Sequence, residues 1–168
     1  FLVSDLTGVP GFHVDVIDSS RARRRDSAFV NCAVMIRTLW SALIAAPRAD
    51  VISFHASDRG MATVGPLLFM IARVFRKRYI CRLFGGSFDA YYDECGALVR
   101  GIIHRTVLAA DVCLFETKRL VDYFAPIATG RVEWFSNYTR LTWDQAPQSA
   151  NQACARLIFL GHLWKTKG

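Results

Sequence analysis

The chain has 168 residues, which is enough for one domain or for one domain with the beginning of another. Hydrophobic residues make up 52% of it and charged residues 21%, a composition that excludes an intrinsically disordered chain. The formal net charge of +7 favours acidic partners such as phosphates, anionic lipids or nucleic acid.

Short apolar runs alternate along the chain with stretches whose apolar residues recur every three or four positions. The first pattern is typical of buried strands and the second of helices. In chain order the predicted elements are a strand at 12–17, a helix at 29–44, strand 50–55, helix 67–75, strand 79–84, helix 96–110, strand 112–115, helix 118–124 and strands at 131–135 and 156–160. This alternation predicts an α/β domain with a doubly wound parallel sheet, right-handed crossovers and helices on both faces.

Several residues mark the boundaries of these elements. Gly60 and the pair Gly65 and Pro66 predict a turn before the helix at 67–75. Thr117 is placed to cap the helix that follows it. The longest apolar run, residues 61–72, is too short to cross a bilayer as a helix.

The composition changes after residue 138. Residues 139–155 are polar and aperiodic, which predicts a linker. The chain is therefore expected to hold one domain over 1–138 and the first strand and loop of a second domain over 156–168.

The five cysteines form no closely spaced pairs and lie mostly in apolar runs. This pattern predicts buried free thiols in a reducing compartment, without a disulfide framework or a metal site.

The strand at 79–84 ends in a stretch that fits a ligand site. Gly85 and Gly86 follow it, where a chain can turn sharply or let a ligand approach the backbone. In an open α/β sheet, ligands bind beyond the carboxyl ends of the strands. The aromatic and acidic residues after the glycines either line such a site or pack a strand-to-helix turn.

Four segments of the chain carry a family resemblance. They are Asp-Val-Ile-Ser-Phe-His at 50–55, Ala-Ala-Asp-Val-Cys-Leu-Phe-Glu-Thr-Lys-Arg-Leu at 109–120, Arg-Val-Glu-Trp-Phe-Ser-Asn-Tyr-Thr at 131–139 and Arg-Leu-Ile-Phe-Leu-Gly-His-Leu-Trp-Lys-Thr-Lys-Gly at 156–168. Their order and spacing resemble the retaining glycosyltransferases of family 4, which have two facing Rossmann-like domains (the GT-B fold).

The resemblance implies transfer of a sugar from a nucleotide-sugar donor to a glycan or lipid-linked acceptor, in cell-surface polysaccharide synthesis. It implies a cytoplasmic protein, possible contact with the inner membrane face, and neither a metal, another cofactor nor a nucleic-acid partner. The family's first strand and glycine-rich loop would precede Phe1, and most of the nucleotide-sugar domain would follow Gly168. The chain is therefore expected to be the N-terminal, acceptor-side part of the enzyme, with no turnover by itself.

Site residues follow from the resemblance, although the catalytic residues remain unidentified. The residues expected to bind the acceptor are His55, Gly85, Gly86, Phe88, Asp89 and Tyr91. Phe88 and Tyr91 would stack on sugar rings, and Asp89 would accept a hydroxyl or simply start a helix. His162 and Lys167 would contact the donor phosphates, and Asn137 would lie at the hinge.

Two positions depart from the family pattern. Gly85 and Gly86 stand where many members have a His, and His162 stands where the second domain usually has an Arg. The first departure removes a possible catalytic His, and the second replaces a permanent positive charge with an imidazole.

A basic cluster follows the apolar helix at 67–75. Its members are Arg73, Arg76, Lys77 and Arg78. They are expected either to face an anionic membrane or to form the solvated end of a core helix.

Two other functions stay open. A sugar-nucleotide 2-epimerase would share the architecture, but its carboxylates and His cannot be placed in this chain. A non-catalytic basic α/β module would bind membrane or nucleic acid, although the basic residues are scattered and no nucleic-acid motif supports it.

Overall fold

The computed structural model describes residues 13–18 and 28–136. The helices are α1 (Ala28–Ala45), α2 (Asp58–Val74), α3 (Phe88–Glu94), α4 (Ala97–Arg105) and α5 (Lys118–Phe124). The strands are β1 (Val51–Ala56), β2 (Arg78–Leu83), β3 (Val112–Phe115) and β4 (Arg131–Trp134). Short 3₁₀ turns occupy Ala46–Arg48 and Val107–Ala109.

The strands form one four-stranded parallel sheet in the order β1-β2-β3-β4. Each strand leads through at least one helix to its neighbour in the sheet. The predicted α/β class and parallel sheet are confirmed. Within the described ranges the strand order does not reverse, so double winding remains a prediction.

The hydrophobic core lies between one face of the sheet and the helices. Phe124 of α5 is fully buried at its centre. Its ring centroid lies 5.1 Å from that of Phe115, 5.3 Å from Phe88 and 5.6 Å from Tyr92. Aromatic pairs at such distances add to the stabilisation that burial itself provides.

Helix α2 begins at Asp58, well before its predicted start, so the turn predicted from Gly60, Gly65 and Pro66 is wrong. The glycines serve close packing instead. A Cβ on Gly60 would lie 2.8 Å from the Ala56 Cβ, and one on Gly65 would lie 3.1 Å from Val107 Cγ2. A Cβ at position 60 is therefore too close to Ala56, whereas one at position 65 would need the Val107 side chain to shift by a few tenths of an ångström. The sequence pattern does not distinguish these packing requirements from a turn.

The strand predicted at 12–17 is wrong over the part the structure describes, because residues 13–18 form no strand. A strand needs a neighbouring ladder as well as alternating side chains. Val16 is exposed, and the Asp18 carbonyl accepts a hydrogen bond of 3.0 Å from the Arg37 guanidinium of α1.

Residues after Gly85 and Gly86 form the short helix α3, which is the strand-to-helix alternative offered by the sequence. The predicted strand at 112–115 and the Thr117 cap are confirmed. The Leu120 N–H donates to Thr117 Oγ1 over 3.3 Å.

The cysteine prediction is confirmed in part. Cys81 and Cys113 are buried free thiols, whereas Cys95 is half-buried and Cys32 is exposed. The predicted linker at 139–155 and the second-domain segment at 156–168 lie outside the described residues.

Two glycines give a matched test of this packing. A Cβ on Gly130 would lie 1.7 Å from the backbone oxygen of Ala110, so the backbone must move to admit it. We expect Gly130→Ala to lower the free energy of unfolding by about 2–4 kcal/mol. Gly101→Ala in α4 should instead raise it by up to about 1 kcal/mol, because alanine is the better helix former.

Urea denaturation of the two variants measures both effects. Each appears as a shift in the urea concentration at the midpoint, while the slope of unfolding free energy against urea concentration stays constant. Equal midpoints for the two variants would contradict the close approach at Gly130.

Candidate functional site

The carboxyl ends of β1, β2 and β3 bring three loops together, and we call this region the carboxyl edge. It consists of Ser57 and Asp58 after β1, residues 85–87 after β2, and Glu116 and Thr117 after β3. The strands are parallel and adjacent, so the loops that follow them meet at one edge of the sheet.

Hydrogen bonds join the three loops of the carboxyl edge. The Gly85 N–H donates to Glu116 Oε2 over 3.1 Å, and the Ser87 hydroxyl donates to Asp58 Oδ2 over 3.2 Å. The second oxygens of these carboxylates, Asp58 Oδ1 and Glu116 Oε1, are buried and have no hydrogen-bond partner among the described residues. Oxygens of this kind can accept hydrogen bonds from the hydroxyl groups of a ligand.

The turn after β2 requires glycine at one of its two positions. Gly85 has a φ of +114°, a conformation that residues with a side chain rarely adopt. A Cβ on Gly86 would lie 3.7 Å from Thr117 Cγ2, an ordinary contact. Gly85 therefore sets the direction of the loop, and Gly86 does not.

Arg119, in the first turn of α5, holds the carboxyl edge together. Its guanidinium donates to Asp89 Oδ2 over 2.7 Å and to Asp89 Oδ1 over 3.0 Å, and it also donates to the Gly86 carbonyl. A bidentate pair fixes geometry as well as supplying energy. Sequence reasoning missed Arg119. Arg119 comes two residues after the Thr117 cap, on a helix that starts at the carboxyl edge, and this position in the sequence could have predicted its place at the site.

Three of the predicted acceptor residues are engaged within the protein. Phe88 is fully buried against Phe124, and the Tyr91 ring stacks on Phe88 with centroids 6.1 Å apart. The buried carboxylate of Asp89 is paired with Arg119. These positions do not fit ring stacking by Phe88 or hydroxyl binding by Asp89, and Asp89 matches the alternative of a carboxylate in the first turn of a helix.

His55 lies near the carboxyl end of β1, where the sequence placed it. It is half-buried, and its Nε2 lies 2.9 Å from the Ser53 hydroxyl. Burial, together with the positive charge of Arg82, lowers the pKa of His55 below 6.5. The imidazole is therefore neutral at physiological pH and can donate or accept a hydrogen bond.

Arg82 of β2 is a buried cation that sequence reasoning missed. Its guanidinium carbon lies 4.8 Å from the centroid of the Phe84 ring and 4.3 Å from that of Phe135. Aromatic faces attract a cation of this kind electrostatically. The pair of rings therefore holds a positive charge close to His55.

A cavity of about 350 Å³ opens beside His55, between α1 and the start of α2. Its polar lining comes from Asn31, Thr38, Ser57 and Arg59. The lining contains none of the other predicted acceptor residues, all of which lie in the described range. The structure thus places His55 at the cavity and the turn at Gly85 on the carboxyl edge.

The four basic residues predicted to face a membrane have different surroundings. Arg73 donates to the Ala109 carbonyl over 3.0 Å, and Lys77 donates to the Pro47 carbonyl over 3.1 Å. Arg76 and Arg78 are exposed.

The remaining predicted site residues, Asn137, His162 and Lys167, lie outside the described residues. Within residues 13–18 and 28–136, no group of three or more His, Cys, Asp or Glu side chains could hold a metal ion.

Comparisons of the chain with family models, with curated proteins and with solved structures found no match in any of the three. The features that bear on function are therefore the carboxyl edge, the cavity beside His55 and the resemblance of the four sequence segments.

The pKa of His55 makes stability depend on pH. Between the lowered pKa of folded His55 and about pH 6.5, the unfolded chain binds a proton at this residue that the folded chain does not. The free energy of unfolding should therefore fall as the pH drops through 6.5 toward the folded pKa, and His55→Gln should weaken this fall. Urea denaturation at about pH 7.5 and about pH 5.5 measures the difference.

The exposed His13 provides the control for this experiment. A loss of pH dependence in His13→Gln as large as that in His55→Gln would contradict the assignment to His55.

A double-mutant cycle tests the pair between Arg119 and Asp89. We expect Arg119→Met and Asp89→Asn to couple by about 1–2 kcal/mol, because the pair is bidentate and the carboxylate is buried. Arg131 and Glu133 are an exposed pair with atoms 2.5 Å apart, and changing them should show coupling below about 0.5 kcal/mol. Equal coupling in the two cycles would show that Arg119 does not fix the carboxyl edge.

Proposed function

We propose that this chain is the acceptor-side part of a retaining glycosyltransferase with a GT-B architecture. The proposed reaction moves a sugar from a nucleotide-sugar donor to a glycan or lipid-linked acceptor, in cytoplasmic synthesis of a cell-surface polysaccharide. The supporting observation is the carboxyl edge of a parallel sheet, where two carboxylate oxygens without a hydrogen-bond partner among the described residues lie near the turn at Gly85. Ligands of open α/β sheets bind at such an edge.

The proposed role of the carboxyl edge is to orient the acceptor hydroxyl groups. Asp58 and Glu116 each have one carboxylate oxygen held by a loop and a second oxygen without a partner among the described residues. A sugar hydroxyl is a hydrogen-bond donor that would satisfy such an oxygen. Correct orientation of a reacting hydroxyl is itself a large part of catalysis.

Neutral His55 would supply a further hydrogen bond to the acceptor from the cavity beside β1. The cavity is within the size range of small-molecule sites and combines an apolar lining with a few polar groups. His55 can bind a hydroxyl without adding a charge, because burial and Arg82 keep its pKa low.

The donor half of the reaction belongs to the second domain in this proposal. Retaining transfer needs charge stabilisation on the leaving diphosphate and exclusion of water. We assign the phosphate contact to His162 and Lys167 and the hinge to Asn137. A doubly wound, Rossmann-like arrangement of the first domain, with no metal or other cofactor, is part of the same proposal.

The complete coding region around this chain allows a direct test. The protein expressed from this coding region would be purified and incubated with uridine and guanosine diphosphate sugars, labelled in the sugar, and with a lipid extract as acceptor. We expect a labelled glycolipid with retained anomeric configuration. Gly85→Ala should lower kcat/KM at least about tenfold, because alanine disfavours the backbone conformation at that position and shifts groups that must be held closely.

Gly101→Ala is the matched control, since its added methyl makes only ordinary contacts. Ser87→Ala tests the edge without backbone strain and should raise KM for the acceptor. Normal turnover in both edge variants would reject the carboxyl edge as the acceptor site.

The same assay separates the competing functions. An epimerase would convert the nucleotide sugar itself and would need no acceptor. If the protein folds but turns over no nucleotide sugar, the non-catalytic module is the only one of the three functions that still fits.

A further inference from the structure

The outer face of α1 is apolar and open to solvent. Its exposed large residues are Phe29, Val30, Ile36, Trp40, Leu43 and Ile44. Phe29 is 83% exposed and Trp40 is 63% exposed. A surface helix usually has its charged and polar residues on that side, and an exposed apolar face of this extent favours association with a partner.

By length and composition alone, the segment Phe29–Arg48 could cross a membrane, which the uninterrupted apolar runs of the sequence did not indicate, and most of it is not buried. However, the opposite side of α1 packs against α2, where Thr38 and Ala42 are buried. A helix held sideways against a folded domain lies along a bilayer surface instead of crossing it.

Helix α2 extends the apolar surface. Its exposed apolar residues are Leu67, Met70 and Val74, which recur at helical spacing on its outer side. The hydrogen bond of 3.1 Å from Lys77 Nζ to the Pro47 carbonyl brings the C-terminal ends of α1 and α2 together. Because α1 packs against α2 and their C-terminal ends meet, we group the two outer faces and call them the α1–α2 surface.

Exposed positive charges lie at the end of the α1–α2 surface. Arg48 follows α1, while Arg76 and Arg78 follow α2. Arg76 has a φ of +55°, so the chain turns sharply directly after the helix. Arg73 and Lys77 are hydrogen-bonded within the domain and hold this end of the fold together.

We propose that the α1–α2 surface binds an anionic phospholipid bilayer, with α1 in the plane of the interface. The apolar side chains would enter the headgroup and acyl boundary, and Arg48, Arg76 and Arg78 would contact the anionic headgroups. This proposal stands apart from the transferase proposal, since it depends on no site at the carboxyl edge. It also moves the main membrane contact from the predicted basic cluster to α1.

Charge complementarity decides in favour of lipid over a second copy of the chain. A second copy would bring the same arginines and the same net charge of +7 toward this surface. Anionic headgroups instead attract arginine and accept an apolar helix face together.

Vesicle flotation tests the proposal with the 168-residue chain. The probe is a vesicle of phosphatidylcholine with about 30% phosphatidylglycerol, compared with phosphatidylcholine alone. We expect binding to the anionic vesicle that weakens with added salt. The triple variant Arg48→Ser, Arg76→Ser and Arg78→Ser should weaken partitioning about 100-fold, and Trp40→Ser with Ile44→Ser should weaken it at least about tenfold.

Two control variants match these changes elsewhere on the molecule. Arg59→Ser, Arg105→Ser and Arg131→Ser remove the same charge from other exposed positions. Leu98→Ser with Ile102→Ser removes exposed apolar residues from α4. The arginine control should bind the anionic vesicle at least about tenfold more tightly than the Arg48, Arg76 and Arg78 triple variant. The α4 control should exceed the Trp40 and Ile44 double variant by at least about the same factor.

Three results would overturn the proposal. The first is equal weakening by the test and control variants, and the second is absence of binding to anionic vesicles. The third is self-association in sedimentation velocity that Trp40→Ser with Ile44→Ser abolishes without affecting lipid binding, which would assign this surface to a second copy.

Discussion

Parallel pairing of β1, β2 and β3 is the constraint on which the candidate site depends. The pairing is in register, with Phe54 opposite Cys81 and Cys81 opposite Cys113, so the three strands end at nearly the same level. Three loops that are far apart in the chain therefore converge on one edge. Any change that shifted this register would separate Asp58, Gly85 and Glu116.

The carboxylates at the carboxyl edge differ in how many of their oxygens have a hydrogen-bond partner. Both carboxylate oxygens of Asp89 accept hydrogen bonds from Arg119, whose guanidinium also donates to the Gly86 carbonyl in the turn after β2. Only the carboxylate of this pair is buried. Asp58 and Glu116 each use one oxygen to hold a loop and leave the other without a partner among the described residues. Buried acceptors without donors reduce stability and are favourable only where a ligand or water supplies the donor. We therefore assign Asp58 and Glu116 as the acceptor-binding carboxylates of the proposed function.

Helices α1 and α2 differ in how far the domain covers them. Helix α2 buries Leu68, Phe69 and Ala72 against the sheet and exposes a narrower apolar strip. Helix α1 packs against α2 and leaves most of its large apolar residues in solvent. Because exposed apolar area of this extent favours association, the outer side of α1 is the part of the surface best suited to a partner.

The sequence by itself determined the α/β class, the strands β1 to β4 within a residue or two, the Thr117 cap and the position of His55, because periodicity and capping are local properties. It did not determine the start of α2, the burial of Phe88 or the pair between Arg119 and Asp89. Those depend on contacts between residues far apart in the chain. In the sequence Gly60 and Gly65 indicate turns, and only the folded structure shows that they lie close to Ala56 and Val107. Only the tertiary structure could decide the start of α2, the burial of Phe88 and the pairing of Arg119, because burial and pairing are properties of the assembled sheet and its helices.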